Sequence, residues 1–251
     1  MHDLAGFVAP AGCCLGRPLV VKAVTGSTND DARALAAAGA EHGAVVLADA
    51  QTSGRGRLGR SWVSPAGLNL YFSVVWREGL DAIDPPLLAL GAGLAVSEAL
   101  DRFTPTPTTV KWPNDVRHAG RKLAGVLAEA MYRGAHPSAV VIGVGVNVRG
   151  AEVPAALAEI ATSVRIARGR DVARAEVLDA LLERLGATLG ELCRDGFVGV
   201  RRRLLDRCES VGSRVSIGDV TGVAIDVDPT GALVVRDEQG LLHAVRAGEI
   251  R

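Results

Sequence analysis

The segment from Gln51 to Arg60 has the composition of an anion-binding loop. It reads Gln-Thr-Ser-Gly-Arg-Gly-Arg-Leu-Gly-Arg, with three glycines and three arginines in ten residues. Glycines let the backbone turn its N–H groups toward a ligand, and guanidinium groups bind carboxylate or phosphate oxygens through paired hydrogen bonds. The segment predicts a site for an anionic ligand, and a solvated basic turn is the alternative.

Two familiar phosphate-binding patterns do not describe this loop. A P-loop requires GxxxxGK[ST], which the loop lacks, and the spacing of Gly54, Gly56 and Gly59 only weakly matches the dinucleotide fingerprint. That fingerprint needs a helix after its glycines, whereas the strand-like run from Leu68 to Trp76 follows here. The sequence does not predict a Rossmann fold.

Three further clusters place polar groups or bare backbone on strands. Lys111–Asp115 turns at Pro113 and presents an amide and a carboxylate, although an Asx turn that satisfies its own backbone explains it too. Lys122 opens an apolar strand, where a lysine often only extends its amine to solvent at a sheet edge. Two glycines within Ile142–Asn147 leave one strand face bare, so either a flat group approaches it or the strand bends there.

The hydroxyls of Ser27 and Thr28 lie where a predicted strand gives way to a predicted helix. Thr28 and Asp31 have the spacing of a loose capping box, which explains both hydroxyls without a ligand. The alternative is that one hydroxyl caps the helix while its neighbour binds.

The elements around these clusters predict an α+β fold. Apolar periodicity indicates strands over 19–24, 44–48, 68–76, 110–116, 123–131 and 139–148, and helices over 28–38, 84–103 (capped by Asp84) and 172–206. These segments predict a mixed sheet of at least five or six strands flanked by helices. Short strands over 214–217, 223–227, 233–236 and 241–245 then predict a small antiparallel barrel of SH3 type. We expect an N-terminal extension at 1–18, a catalytic domain at 19–208 and the barrel at 209–251.

Composition narrows the class of protein. The sequence has 28 basic residues (lysine plus arginine) and 28 acidic residues (aspartate plus glutamate). The net charge therefore gives no overall attraction for a polyanion such as DNA. The cysteines form neither a CxxC pair nor a zinc pattern: Cys13, Cys14, Cys193 and Cys208. Apolar runs stay short of the roughly 18 residues of a membrane helix, and no secretory leader is recognisable. We expect a soluble cytoplasmic protein with reduced thiols and no membrane partner.

Taken together, five clusters resemble the biotin protein ligases in order and spacing. They are Ser27–Asn29, Gln51 with Gly54–Arg60, Lys111–Asp115, Arg121–Gly125 and Gly143–Asn147. The resemblance runs from about residue 19 to the end of the sequence, and its C-terminal part matches by pattern only. It implies a class II synthetase-like catalytic domain that forms biotinyl-5'-AMP from biotin and ATP. It further implies biotinylation of one lysine of a biotin carboxyl carrier domain.

The resemblance also implies roles for individual residues. Arg57 and Lys122 match the catalytic cations of the family. The implied biotin-binding residues are Ser27, Thr28, Asn29, Gln51, Arg55, Gly56, Arg57, Lys122 and Gly125. The implied adenylate-binding residues are Arg57, Arg60, Lys111, Asn114, Asp115, Lys122 and Asn147. Trp62 remains open between a cover for the ligand and a core residue, and it stays outside the predicted site.

The implied chemistry explains the need for cations. The biotin carboxylate must attack the α-phosphate of ATP, and two like charges about 4 Å apart cost roughly 4 kcal/mol at an effective dielectric near 20. Arg57, Lys122 and Mg²⁺ carried by the phosphates offset that repulsion without a protein nucleophile or a dedicated metal site. The acceptor amine, with a free pKa of about 10.4, must then arrive neutral, and Asp115 is expected to accept its hydrogen bond. The loop at 52–60 is expected to be mobile until the adenylate orders it.

Several alternatives stay open at this point. Some family members carry a helix-turn-helix that binds DNA, but about 18 residues precede the first predicted strand here, so we expect a ligase alone. Whether Arg251 reaches the nucleotide is open. One rival is a lipoyl or octanoyl transferase, which is expected to lack both the Gly-Arg-Gly-Arg loop and the Lys-Trp-Pro-Asn-Asp segment. Another is a non-enzymatic module that binds protein or RNA. A monomer or a weak homodimer is expected.

Overall fold

Seven strands build one mixed sheet in the computed structural model, which describes residues 3–4, 6–150 and 160–250. The strands are β1 (Leu19–Thr25), β2 (Val45–Gln51), β3 (Leu70–Trp76), β4 (Thr109–Lys111), β5 (Asp115–His118), β6 (Arg121–Arg133) and β7 (His136–Val146). Their order across the sheet is β1-β2-β3-β7-β6-β5-β4. β1 and β2 pair in parallel, and the remaining neighbours pair antiparallel. The predicted mixed sheet is confirmed.

Helices cover both faces of this sheet. They are α1 (Thr28–Ala37), α2 (Pro85–Leu100), α3 (Val164–Arg168), α4 (Arg174–Asp195) and α5 (Phe197–Leu205). Side chains alternate between the faces of a strand, so Val45 packs in the large core with α2 while Val46 packs beneath α1. α2 is apolar on all sides because it lies between the sheet and α4.

A second, four-stranded antiparallel sheet follows the helices. Its strands are β8 (Arg214–Ile217), β9 (Val220–Val227), β10 (Leu233–Arg236) and β11 (Leu242–Val245), in the order β11-β10-β9-β8. This confirms the predicted SH3-like unit. Within the described residues, no helix has both the length and the apolar character that a membrane crossing needs.

Two predicted elements are wrong in their extent. The segment at 110–116 is a hairpin and not a single strand, because Pro113 has no N–H to donate to a ladder. The predicted turn at Pro113 is confirmed, since Lys111 pairs with Asp115 across it. The single helix at 172–206 is α4 and α5, separated by Gly196, whose φ of 76° ends α4. No helix was predicted from the sequence where α3 lies. Asp84 does occupy the N-cap of α2, but its side chain makes no capping hydrogen bond.

A buried arginine ties the N-terminal segment to the sheet. Arg174, the first residue of α4, is fully buried and lies between two carboxylates, with Nη2 2.6 Å from Asp3 Oδ1 and Nη1 2.7 Å from Asp49 Oδ1. Arg174 Nη1 also donates to the carbonyl oxygen of Asn69 at 3.1 Å. Hydrogen bonding from Arg174 holds the pKa of Asp3 at about 2, against an ordinary value of 3.8.

Asp3→Asn is expected to destabilise the protein at neutral pH by about 2 kcal/mol. A carboxylate whose pKa is depressed on folding stabilises the protein above the unfolded pKa, and that contribution is lost as the pH falls from 3.8 toward about 2. Urea unfolding at several pH values measures this, and the gap between variant and wild type should narrow below pH 4. Asp171→Asn removes an exposed pair with Arg165 and is the control, with a loss below about 1 kcal/mol. A gap that stays constant with pH would contradict the assignment.

Candidate functional site

The predicted clusters meet in one cavity above the large sheet. The loop between β2 and β3 forms one wall, the β4–β5 hairpin forms another, and β6 and β7 form the floor. Thirteen of the fourteen predicted site residues line it: Ser27, Thr28, Asn29, Gln51, Arg55, Gly56, Arg57, Arg60, Lys111, Asn114, Asp115, Lys122 and Gly125. Asn147 does not line it, since its side-chain amide donates to the carbonyl oxygen of Thr162 at 3.0 Å.

The register of three strands explains the floor. Asp115 on β5 pairs with Gly125 on β6, and Gly125 pairs with Gly145 on β7. Directly paired residues point to the same face of a sheet, so a carboxylate and two bare glycines form one row. The sequence left two alternatives for the bare strand face, a flat neighbouring group or a bend. The structure has the flat neighbouring group.

Trp62, which we left outside the predicted site, covers this row. A Cβ atom on Gly145 would lie 2.5 Å from Trp62 Cε2, and one on Gly125 would lie 3.1 Å from Trp62 Cζ3. The Lys122 amine lies 5.2 Å from the centroid of the indole ring, which is within cation–π range. The bare glycines of β6 and β7 were the sequence signal for a flat neighbour, but nothing in the sequence identified it as Trp62.

Neutral hydrogen-bonding groups occupy one end of the cavity. Gln51 Oε1 accepts from the backbone N–H of Thr28 at 2.9 Å and from its hydroxyl at 3.2 Å, while Gln51 Nε2 donates to Ser64 Oγ at 2.9 Å. Ser27 is the N-cap residue of α1 but makes no side-chain capping hydrogen bond, and Asp31 accepts instead from Thr25 Oγ1 at 2.6 Å. The capping-box interpretation of Ser27 and Thr28 is therefore wrong.

The two expected catalytic cations lie in this same cavity. Lys122 Nζ lies 2.7 Å from Asp115 Oδ1. Arg57 donates to Asn114 Oδ1 at 3.1 Å and to the carbonyl oxygen of Gly248 at 3.3 Å. Burial lowers the pKa of Arg57 below its usual value, and the charges of Asp115 and Glu249 oppose that shift. Both cations are thus held in place by protein oxygens.

These contacts also decide between the earlier alternatives. Asn114 is not in an Asx turn, since its amide donates to the carbonyl oxygen of Val126 at 2.8 Å and accepts from Arg57. Lys122 does not extend to solvent at a sheet edge, because β6 lies between β5 and β7 and the amine pairs with Asp115. Both residues present polar atoms to the cavity.

The end of the described chain adds a wall that sequence reasoning missed. The Lys111 amine donates to the carbonyl oxygen of Ile250 at 3.0 Å, and Arg60 pairs with Glu249 at 2.5 Å. Burial, with a contribution from nearby Arg117, lowers the pKa of Lys111. Arg251 itself lies outside the described residues.

The arrangement suits a ligand with a neutral polar head and an anionic end. Hydroxyl and amide groups supply both donors and acceptors at one end. At the other end the cations outnumber the carboxylates of Asp115 and Glu249: Arg57, Arg60, Lys111 and Lys122. No cluster of three or more His, Cys, Asp or Glu side chains in the described part of the chain has the geometry to hold a metal ion. This cavity is suited to bringing two anionic groups together, because its cations offset the repulsion between them.

Comparisons with known proteins agree with this chemistry. Residues 21–147 match the model of the biotin/lipoate A/B protein ligase family, and residues 212–251 match that of the biotin protein ligase C-terminal domain. The biotin--[acetyl-CoA-carboxylase] ligase of Mycobacterium tuberculosis is 38% identical over 93% of this chain and 88% of its own length. The corresponding ligase of Paracoccus denitrificans is 36% identical over 86% and 93%. A solved biotin protein ligase from Aquifex aeolicus, in complex with biotin and ATP, superimposes with a TM-score of 0.81 at 31% identity, covering 93% of this chain and 97% of that one.

Gly145→Ala is expected to lift the indole of Trp62 off the floor of the cavity. The new methyl group would lie 2.5 Å from the ring, and overpacking of this kind costs about 1–3 kcal/mol. The variant should show a red-shifted tryptophan emission and a lower free energy of unfolding in urea. Gly93→Ala in α2 is the control, because its methyl group meets nothing nearer than Val110 Cγ1 at 4.0 Å. An emission spectrum identical to that of the wild type would contradict the stacking of Trp62 on Gly145.

Proposed function

The chain belongs to the biotin/lipoate A/B protein ligase family, and from that membership we infer that it is a biotin protein ligase. It activates biotin with ATP to form biotinyl-5'-AMP and transfers the biotin to a lysine of an acceptor protein. The observation that carries this function is the meeting of Arg57 and Lys122 in one cavity with the neutral polar end formed by Thr28 and Gln51. A lipoyl or octanoyl transferase is disfavoured because residues 212–251 match the C-terminal domain of the biotin ligases.

We assign the neutral end of the cavity to the ureido ring of biotin. That ring carries two N–H donors and a carbonyl acceptor, for which the Ser27 hydroxyl and the second N–H of Gln51 offer both kinds of partner, while Thr28 orients the Gln51 amide. Gly125 lets the indole of Trp62 lie flat on the floor beside the ligand, and the loop residues Arg55, Gly56 and Arg57 close over the ligand. Asn29 lies in the same wall, with its amide already bonded inside the protein.

The cationic end then carries the first half-reaction. An oxygen of the biotin carboxylate attacks the α-phosphorus of ATP, a P–O bond forms, and the bond to the β-phosphate breaks to release pyrophosphate. Arg57 and Lys122 offset the repulsion between the two reactants and the charge that builds on the α-phosphate. Both cations are pre-oriented by Asn114 and Asp115, so little reorganisation is needed during the reaction.

The phosphates of ATP have further cations within reach. Arg60 and Lys111 line the same end of the cavity and fit the triphosphate by charge. Mg²⁺ enters as the counter-ion of the phosphates and supplies additional charge neutralisation. We assign Asn147, which lies outside the cavity lining, no direct contact with the nucleotide.

Asp115 is our proposal for the orienting group of the second half-reaction. The acceptor amine attacks the carbonyl carbon of biotinyl-5'-AMP, a C–N bond forms, the C–O bond to AMP breaks, and the nitrogen loses one proton to solvent. The amine must be neutral to attack, and the positive charges of Lys122 and Arg57 favour its neutral form. The carboxylate of Asp115 is available at the cavity wall to accept a hydrogen bond from the amine.

We propose a biotin carboxyl carrier domain as the acceptor, by analogy with the ligases that this chain resembles. The cytoplasm is the proposed location, which is supported by the free thiols of Cys13, Cys14, Cys193 and Cys208. A catalytic domain at 19–208 after an N-terminal extension at 1–18, with the second unit at 209–251, remains our proposed division. Two further predictions remain: the protein is a monomer or a weak homodimer, and it does not bind DNA.

The function is tested by incubating the protein with biotin, Mg-ATP and a purified carrier domain. We expect biotin-dependent release of pyrophosphate and a carrier whose mass rises by one biotinyl group. Lys122→Gln should slow pyrophosphate release about a hundredfold or more, because one of two cations at the reacting centre is lost. Lys22→Gln is the matched control, since that lysine pairs with Asp31 outside the cavity and should leave the rate unchanged. A wild-type protein that releases no pyrophosphate with biotin would refute the function.

Asp115→Asn is expected to slow the transfer of biotin from preformed biotinyl-5'-AMP to the carrier domain by tenfold or more. The amide keeps the size of the side chain but accepts a hydrogen bond from the amine more weakly. Single-turnover transfer, followed by mass, measures this step without the first half-reaction. Transfer at the wild-type rate would exclude the proposed role of Asp115.

A further inference from the structure

The carboxylate of Glu129 joins two residues that line the cavity, although Glu129 itself was not predicted to belong to the site. On β6, its Oε2 accepts from Asn29 Nδ2 at 2.7 Å and lies 3.0 Å from Arg55 Nη2. Its Oε1 lies 3.4 Å from the same Arg55 nitrogen. One side chain therefore links α1, behind the proposed biotin wall, to the loop that covers the cavity.

The Asn29 side chain is fully engaged inside the protein. Its amide nitrogen donates to Glu129 and, at 3.4 Å, to the carbonyl oxygen of Leu127, while Oδ1 accepts from Ser73 Oγ at 2.6 Å. Asn29 is only 4% exposed, and a Cβ atom on Gly143 would lie 2.0 Å from its Oδ1. Both N–H groups and the oxygen are used, so this amide is suited to orienting Glu129 rather than to hydrogen-bonding biotin.

Arg55 is the other end of the link. Its backbone lies in the loop and pairs with Ser61, and its guanidinium group contacts Glu129 and, at 2.8 Å, Asp30. The side chain of Glu129 is 24% exposed and that of Asp30 is 57% exposed, so solvent screens the Glu129 contact less. Holding Arg55 also restricts Gly56 and Arg57, which follow it directly in the loop.

We propose that Glu129 is a positioning residue that, oriented by Asn29, holds the loop of residues 54–60 over the cavity through Arg55. The inference rests on the proposed function of the cavity. Glu129 does not line the cavity, so its charge acts on the reactants through Arg55 and the loop and controls how long biotin and biotinyl-5'-AMP are retained. The chemical step depends instead on Arg57 and Lys122.

Glu129→Gln tests this because it removes the charge that Arg55 contacts while keeping the length of the side chain and an acceptor oxygen. A charge-assisted hydrogen bond of this kind is worth roughly tenfold in an equilibrium. We expect the KM for biotin and the dissociation rate of biotinyl-5'-AMP to rise about tenfold, with kcat for pyrophosphate release within about twofold of wild type. Without ligand, amide hydrogen exchange over 54–60 should be faster in the variant than in the wild type, because the Arg55–Glu129 contact limits the motion that the glycines allow the loop. Unchanged exchange, or a loss of kcat at constant KM, would overturn the proposal.

Two comparisons separate positioning from a general loss of structure. Arg33→Gln removes a second cation near Glu129, at 3.6 Å and on α1 rather than in the loop, and should leave KM and loop exchange unchanged. Arg55→Gln should reproduce the effect of Glu129→Gln, and the double variant should be no worse than either single variant. Effects that multiply in the double variant would overturn the link. If Glu129→Gln does not fold, amide hydrogen exchange over 54–60 in Arg55→Gln tests the same contact.

A failure of the Glu129–Arg55 link can be distinguished from a failure of the proposed ligase function. A wild-type protein without biotin-dependent pyrophosphate release would refute the function. Loop exchange in the unliganded protein would still report whether Glu129 holds Arg55. Faster loop exchange in both single variants would then support the link alone.

Discussion

We propose that two negatively charged reactants meet in this cavity, and the repulsion between them explains how the described side chains are arranged. Arg57 comes from the glycine-rich loop and Lys122 from β6, so neither segment alone provides the pair. Each cation is fixed by an oxygen of the β4–β5 hairpin, through Asn114 and Asp115. The hairpin therefore holds both positive charges in place, as the proposed electrostatic stabilisation requires.

The sheet gives this electrostatic site a flat floor. Paired strands put Gly125 and Gly145 side by side, and the indole of Trp62 lies against them where side chains would otherwise stand. A strand with a glycine is weakened by the loss of packing, and here the aromatic ring restores that packing. The glycines serve close approach rather than a bend, and the loop that carries Trp62 also carries Arg57.

The hairpin also joins the large sheet to the second one. The backbone N–H of Trp112 donates to Ser210 Oγ at 3.0 Å, and its indole N–H donates to the carbonyl oxygen of Gly231 at 3.1 Å. The end of the described chain returns to the same place, where Gly248 and Ile250 accept from Arg57 and Lys111. The C-terminal unit is therefore part of the environment of the cations, although its sequence carries no sharp motif.

The sequence by itself determined the residue types that the chemistry needs and most of the elements that carry them. Local patterns are sufficient there, because strand alternation, glycine density and clustered arginines each have a short-range physical cause. The tertiary structure decided what depends on distant partners. The position of Trp62 on Gly145 depends on strand register, and the link through Glu129 joins it to Asn29, 100 positions away, and to Arg55, 74 positions away. No local pattern encodes such contacts, because they exist only once the sheet has brought its strands together.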